Sequence, residues 1–332
     1  MAYKITISVN WQGKPDFKGL IERAKAAEAA GVHSIWVAEA WGRDAFTTLT
    51  LLAEHTQRLA LASAIVNTYS RTPGALAQHF ATLDELSCGR MIIGLGTSGP
   101  QVIEHFHGVP FKPPLTRMRE YVDIINMLIA GQPLNYEGKV FKLKRGFTLR
   151  FDPLRKHVPI YIAALNPGSV EFTAQCADGW LPVMIPLGQL RSAVREFRAS
   201  VASAGRDPSA VAIKAPGTIH VTDDPDRARA AHAATLSFYA ARMGTFYAQQ
   251  LTWYGFEDDV RRIREAWSSG GSKAGAEAVS RRLLDEMTYI GGVAGARERL
   301  AAEAEAGADL HRLEVDAPDL ASYERTLAAL VG

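Results

Sequence analysis

The chain has 332 residues, 47% of them hydrophobic and 22% charged, the proportions of a folded protein with a large core rather than of a disordered one. Lys and Arg outnumber Asp and Glu by only 37 to 35, which removes any general attraction to nucleic acid or an anionic membrane and leaves a small molecule as the expected partner. The first apolar run is too short for a signal peptide, no window approaches a membrane span, and Cys88 and Cys176 form no C-x-x-C, so a reducing, cytoplasmic setting is expected.

In chain order, strands are expected at about 4–9, 33–38, 59–66, 90–95, 159–164, 180–184, 211–221 and 311–315. Four of them follow an alanine-rich or amphipathic helix closed by glycine: "AAEAAGVHSIWVAEA", "LDELSCGRMIIGLG", "AQCADGWLPVM" and "AEAEAGADLHRLEV". Glycine suits the left-handed residue after a helix, and near-continuous apolar strands suit a parallel sheet covered on both faces. Thr72 with Pro73, and Asn166 with Pro167, read as helix caps followed by first helical residues; Asp44 reads as the cap before "AFTTLTLLA". Eight strands alternating with helices predict a single (β/α)8 TIM-barrel domain over residues 1–332, with insertions at about 132–158 and 226–290. The first insertion reads as a basic hairpin, with seven Lys or Arg between Tyr136 and His157 against Glu137 and Asp152. The second is helical and rich in aromatics, among them Phe238, Tyr239, Phe246, Tyr247, Trp253, Tyr254 and Phe256, which suit a pocket wall, buried packing or a subunit interface.

"RMIIGLGTSGPQ" spells G-x-G-x-x-G at Gly94, Gly96 and Gly99. A dinucleotide fingerprint needs a second strand ending in an acid about 20 residues on. Here the acids at that distance, Glu120 and Asp123, lie in a stretch of helical periodicity, so the Rossmann reading fails and the glycines need another reason. A barrel places its chemistry at the C-terminal strand tips. Those tips carry Asn10 and Trp11; Glu39, Trp41 and Asp44; Ala64, Ile65, Asn67 and Tyr69; Thr97, Ser98, Gly99 and Gln101; and Asn166 to Val170.

"LALASAIVNTYSRTPGALAQHFATLDELSCGRMIIGLGTSGP" resembles the third and fourth βα units of the bacterial luciferase-like superfamily. "SIWVAEAWGRDAF", "DELSCGRMIIGLGTSGPQVIEHFHGVPF" and "VPIYIAALNPGSVEFTAQCADGW" resemble its coenzyme F420-dependent branch, which includes methylenetetrahydromethanopterin reductase. The resemblance implies an oxidoreductase, a homodimer or higher homo-oligomer, that transfers hydride between the deazaflavin and an organic substrate. It also implies a bulge with a non-prolyl cis peptide at Ala64–Ile65 behind the cofactor ring.

Asn10, Asn67, Thr97, Ser98 and Gly99 would then line the cofactor, the glycines letting the turn approach a flat ring. Asn166, Pro167, Gly168, Ser169 and Val170 would offer a helix N-terminus to its phosphate. The flavin-using luciferases place a basic residue after strand four; "TSGPQ" has none, which favours F420 over FMN. Candidate catalytic residues are Glu39, Trp41 and His107; no metal is expected, because His105 and His107 lack the spacing of a ligand motif. Sugar-phosphate-oxidising relatives have a histidine near residue 40 and a glutamate after strand four, where this chain has Ala40 or Trp41 and Gly99 or Pro100, so that specificity is not expected. The alternatives are an FMN-dependent monooxygenase and a barrel that binds F420 or flavin without turnover. The basic hairpin would suit the acidic oligoglutamate tail of F420.

Overall fold

The computed structural model describes residues 3–9, 13, 14 and 16–331. In chain order the elements are β1 Lys4–Val9, α1 Phe17–Ala29, β2 Ser34–Val37, α2 Ala45–His55, β3 Ala60–Ser63, β4 Val66–Asn67, α3 Pro73–Leu86, β5 Met91–Gly96, α4 Pro100–His105 and α5 Pro114–Ile129. There follow β6 Leu134–Glu137, β7 Lys142–Phe147, β8 Ile160–Ala163, α6 Pro167–Cys176, β9 Gly179–Leu181, α7 Leu187–Ser203, β10 Ala212–Ile213 and β11 Thr218–Val221. The chain ends with α8 Pro225–Arg242, α9 Phe246–Trp253, α10 Glu257–Glu277, α11 Arg281–Met287, β12 Thr288–Gly291, α12 Val293–Glu305, β13 Leu310–Val315 and α13 Leu320–Val331. No described helix is long and apolar enough to cross a membrane.

All eight expected strands form, two of them interrupted. Residues 211–221 divide into β10 and β11 around Pro216, which has no N–H for a ladder, and Gly217, where a Cβ would stand 2.8 Å from the Arg299 guanidinium and 3.0 Å from the Met287 carbonyl. The expected strand at 59–66 divides into β3 and β4. The sequence pattern also missed β12, a four-residue strand directly after α11.

The chain folds as two compact units, one formed by Ser8–Ala163 with Cys176–Gly179 and the other by the described residues up to Ile7, Ala164–Gln175 and those from Trp180 onward. In the first, β2, β3, β5 and β8 pair in parallel in that order, with Ile35 opposite Leu61, Leu61 opposite Met91 and Ile93 opposite Ile160. Ile35, Leu61, Met91, Ile93 and Ile160 are buried, as a sheet covered on both faces requires. Asp84 on α3 is buried against Arg155, which also donates to the Met91 carbonyl at 2.7 Å. The hairpin β6–β7 is antiparallel as expected, and its turn hangs on one side chain. Glu120 on α5 accepts the backbone N–H groups of Lys139, Val140 and Phe141 at 2.7–3.0 Å, while Asp123 accepts the Tyr136 hydroxyl at 2.8 Å. The two acids that a dinucleotide reading would have used are thus spent on holding the hairpin.

In the second unit β1, β13, β11 and β12 pair in parallel in that order. Its helical insertion closes on an apolar cluster that includes Leu236, Ala240, Leu251, Phe256, Val260, Ile263 and Leu283, with Tyr239 and Tyr247 packed against it. Most of the aromatics there fill space, whereas Phe246 and Trp253 are exposed.

The bulge between β3 and β4 is the most demanding contact. From Ala62, opposite Ile92, to Val66, opposite Leu95, one strand advances four residues against three on β5. The Ser63 carbonyl is thereby pushed into β5, where a Cβ on Gly94 would stand 1.8 Å from the Ser63 oxygen and one on Gly96 would stand 2.7 Å from the Ile65 side chain. The Ser63 hydroxyl repairs the interrupted ladder, accepting the Gly94 N–H and donating to the Gly94 carbonyl, both at 2.9 Å. Gly94→Ala is expected to lower the unfolding free energy by about 2 kcal/mol or more. Gly74→Ala, where a Cβ meets nothing within 4 Å, should be neutral or stabilising by up to about 1 kcal/mol. Urea unfolding of the two variants checks the contrast, and equal effects would contradict the packing account.

Candidate active site

The candidate residues of the first unit gather on the loops that follow β2, β4 and β5. The Ala64–Ile65 peptide is cis, as the resemblance implies, and the Ala64 N–H reaches the Val37 carbonyl at 2.7 Å. Asn67 closes β4 with a fully local bond set: its amide oxygen accepts the N–H groups of Tyr69 and Ser70 at 2.9 and 2.8 Å. Only its Nδ2 end faces another candidate, the His107 Nε2 at 3.4 Å. Burial pushes the His107 imidazole below its ordinary pKa, with Glu39 acting against that shift and Arg71 adding to it, so the neutral ring is favoured.

After β5 the chain turns through Thr97, Ser98 and Gly99. Ser98 sits in the left-handed region at φ 57°, the Thr97 hydroxyl donates to the Ser98 carbonyl at 3.2 Å, and Gly99 caps α4. A Cβ on Gly99 would meet only the Gln101 side chain, at 3.4 Å. The three glycines of the fingerprint therefore divide: Gly94 and Gly96 accommodate the bulge, which corrects the expectation that all three make room for a ring, and only Gly99 borders open space. Thr68 Oγ1 and Gln101 Oε1 are buried without a hydrogen-bond partner among the described residues. Buried polar atoms are nearly always paired, so these two, one in the turn after β4 and one in the first turn of α4, fit a polar ligand.

Glu39 is less free than the sequence suggests. Its carboxylate, 9% exposed, binds both terminal nitrogens of Arg71 at 2.6 and 3.1 Å and caps α2 through the Ala45 N–H at 3.0 Å. Arg71 also reaches Asp44 at 2.5 Å, lies over the Phe46 ring at 4.7 Å, and is fixed through its carbonyl by the Tyr121 hydroxyl at 2.7 Å. Asp44 caps α2 as expected, accepting the Thr47 N–H at 2.6 Å. Its burial acts to raise the pKa, but the Thr47 bonds and the Arg71 charge outweigh that and hold the carboxyl below the usual range. A carboxylate so paired holds a loop in place rather than giving up protons. Trp41, beyond the end of β2, is 41% exposed.

Arg71 is the residue that reading the sequence missed. It precedes the Thr72–Pro73 cap, where an arginine has no local signature, and its partners at positions 39 and 44 are about 30 residues away in the chain. Arg117 was missed for the same reason: its guanidinium lies over the Tyr69 ring at 4.6 Å and the Phe141 ring at 5.6 Å. Burial pushes the Tyr69 phenol up to about 12.

Asn10 and Trp11 lie outside the described residues. In the second unit, α6 begins at Pro167 as expected, and Asn166 caps it by accepting the Ser169 N–H on its side-chain oxygen at 3.0 Å. The Asn166 carbonyl takes the Ser169 and Val170 N–H groups, each at 3.0 Å. Of the three amides expected to be open to a phosphate, these bonds spare only that of Gly168, so the helix end offers fewer donors than its sequence suggests.

Residues 4–310 match the family model of the luciferase-like monooxygenases. The chain belongs to that family. It is 32% identical over 346 aligned positions, covering 99% of both chains, to a protein of Mycobacterium tuberculosis provisionally described as a coenzyme F420-dependent oxidoreductase. It is 30% identical to the 5,10-methylenetetrahydromethanopterin reductase of Archaeoglobus fulgidus, covering 82% of this chain and 80% of that one. Among solved structures, the coenzyme F420-dependent tetrahydromethanopterin reductase of Methanopyrus kandleri superposes with a TM-score of 0.84 at 22% identity, over 100% of this chain and 99% of that one. That likeness shows the fold class, the luciferase-like α/β barrel that the strand pattern predicts.

The ion-pair geometry sets one expectation. Arg71→Met leaves the Glu39 carboxylate without its counter-charge and should lower stability by about 2–4 kcal/mol. The Glu39→Gln/Arg71→Met double variant should recover part of the loss. Denaturant unfolding of the four-member cycle measures the coupling, and a coupling near zero would count against this role of Arg71.

Proposed function

We propose that this protein is a coenzyme F420-dependent oxidoreductase that moves hydride between the deazaflavin and a small organic substrate. The observation that carries the reading is the bulge braced on β5, flanked by turns that hold the orphaned Thr68 Oγ1 and Gln101 Oε1. Support comes from identity along nearly the whole chain to a protein described as F420-dependent. The turn Thr97–Gln101 carries no cation for a flavin phosphate, which favours F420 over FMN.

When bound, F420 supplies a ring carbon that gives or accepts hydride, so no protein nucleophile is required. The residues of the chain do the remaining work. Ala64 and Ile65 would back the ring, and Thr97, Ser98 and the Gly99 edge would supply hydroxyl and amide groups beside it. Asn67, its oxygen held locally, presents Nδ2 together with a neutral His107, a pair suited to hold a substrate oxygen. Trp41 would wall the substrate side. Glu39 is a positioning residue that acts through Arg71 and the start of α2. In the second unit, the Asn166–Val170 helix start keeps the Gly168 amide for an anion.

Mixing the purified protein with F420 and with FMN in parallel tests the reading: F420 should be retained and its absorbance should change with a suitable alcohol, aldehyde or imine. Tight FMN binding, O2-dependent turnover and indifference to F420 would instead establish the monooxygenase that the family description names. Retention of F420 without turnover of any substrate would leave a binding protein. Trp41→Ala should raise KM on the order of tenfold with a smaller effect on kcat.

The same reading extends to the hairpin, where Lys142 and Lys144 are exposed and, among the described residues, pair with Glu137 at 3.3 and 3.6 Å. Such exposed pairs are weak and leave the cations available to an acidic tail. Replacing Lys142, Lys144 and Arg145 by Gln should weaken the binding of polyglutamylated F420 and flatten its salt dependence; unchanged affinity and slope would remove the hairpin from the cofactor site.

A further inference from the structure

Two histidines and a glutamate far apart in the sequence converge in the second unit. His220 is on β11, Glu314 stands opposite it in register on β13, and His232 is on α8, with one ligand atom of each lying within 4.8 Å of the others. His220 Nδ1 and His232 Nε2 are 2.9 Å apart, with the two rings edge to face at 76°. His220 is 4% exposed, and its second nitrogen, Nε2, makes no hydrogen bond among the described residues although Asp316 Oδ2 lies 3.3 Å away. Asp316 itself is fixed by the Arg227 guanidinium at 2.9 Å and the Thr222 hydroxyl at 3.2 Å. The Arg312 guanidinium lies 3.9 Å from Glu314 Oε2, beyond hydrogen-bond distance, which leaves that carboxylate with acceptor capacity.

We propose that His220 Nδ1, His232 Nε2 and the Glu314 carboxylate form a binding site for a divalent transition metal of the zinc class. Two imidazole nitrogens and one carboxylate oxygen are the donor set of such ions and not of calcium or magnesium. Nitrogens bound to one tetrahedral ion stand about 3.3 Å apart, so the two rings need to separate by only about 0.4 Å. In the metal-free protein one of the facing nitrogens carries a proton. Binding requires both to be bare, which places the His220 proton on Nε2, facing Asp316. A histidine that binds metal through one nitrogen and turns its other N–H toward a carboxylate is the usual arrangement at zinc centres. The two strand ligands come from neighbouring positions of the sheet and the third from the first helix of the insertion, so the ion would pin α8 to β11 and β13. The spacing of the ligands, at 220, 232 and 314, follows no local motif, so the site is not legible from the sequence alone.

Full-length protein freed of metal with a chelator is titrated with Co2+, read by its visible d–d absorption, and with Zn2+, read by metal content after dialysis and by Tm. The expected result is one equivalent of either ion and a Zn2+-dependent rise in Tm. His232→Ala should abolish both, Glu314→Gln should weaken binding at least about tenfold, and Asp316→Asn, which leaves the three ligands intact, should weaken it about 10- to 100-fold. Circular dichroism of the metal-free variants confirms folding; if His232→Ala does not fold, Glu314→Gln and Asp316→Asn decide. Absence of d–d bands, or binding that the variants leave unchanged, would overturn the site.

Discussion

The structure of the first unit turns on one steric fact: the carbonyl of Ser63 occupies the space that a side chain on residue 94 would need. Only glycine permits β3 to bulge into β5 there, and the Ser63 hydroxyl then supplies the two bonds that the distorted ladder has lost. The bulge directs Ala64 and Ile65, lets Val66 and Asn67 resume pairing one residue out of step, and so sets where Asn67, Thr68 and the Thr97–Gly99 turn lie. The contacts proposed at Ala64, Ile65, Thr97, Ser98 and Gly99 inherit their positions from that displacement.

Around this rigid element the charged groups serve placement more than chemistry. Glu39, Asp44 and Arg71 tie the β2–α2 loop to the segment before α3, while His107 stays neutral beside Asn67. This suits a reaction in which the coenzyme carries the electrons, because the protein must then hold two planar or small partners in register and needs few groups that change charge.

Much of the fold was legible in the sequence because its signals are local. Glycine after a helix, apolar runs of strand length and Thr-Pro or Asn-Pro at helix starts report on a few residues at a time, and they located the strands, the caps at Asp44 and Thr72 and the hairpin. The site was less legible. Glu39 looked like an acid because its partner, Arg71, stands 32 residues away, and the glycines of "GLGTSG" looked like a ligand cradle because nothing local announces that Ser63 and Ile65 press against them. The amides of Ser169 and Val170 looked open because Asn166 can cap with both its side chain and its carbonyl. In each case long-range or competing partners decided what an apparently available group does.

The grip of Glu120 on the hairpin bears on how this family member can change. Three successive main-chain N–H groups are read by one buried carboxylate, so the turn is recognised through its backbone, and Gly138 just before them leaves the room that carboxylate needs, since a Cβ there would stand 2.4 Å from it. The exposed lysines of β7 are thereby released from structural duty. The hairpin is a surface whose charge can drift toward whatever molecule it meets, while its place on the protein stays under the control of two helical acids, Glu120 and Asp123.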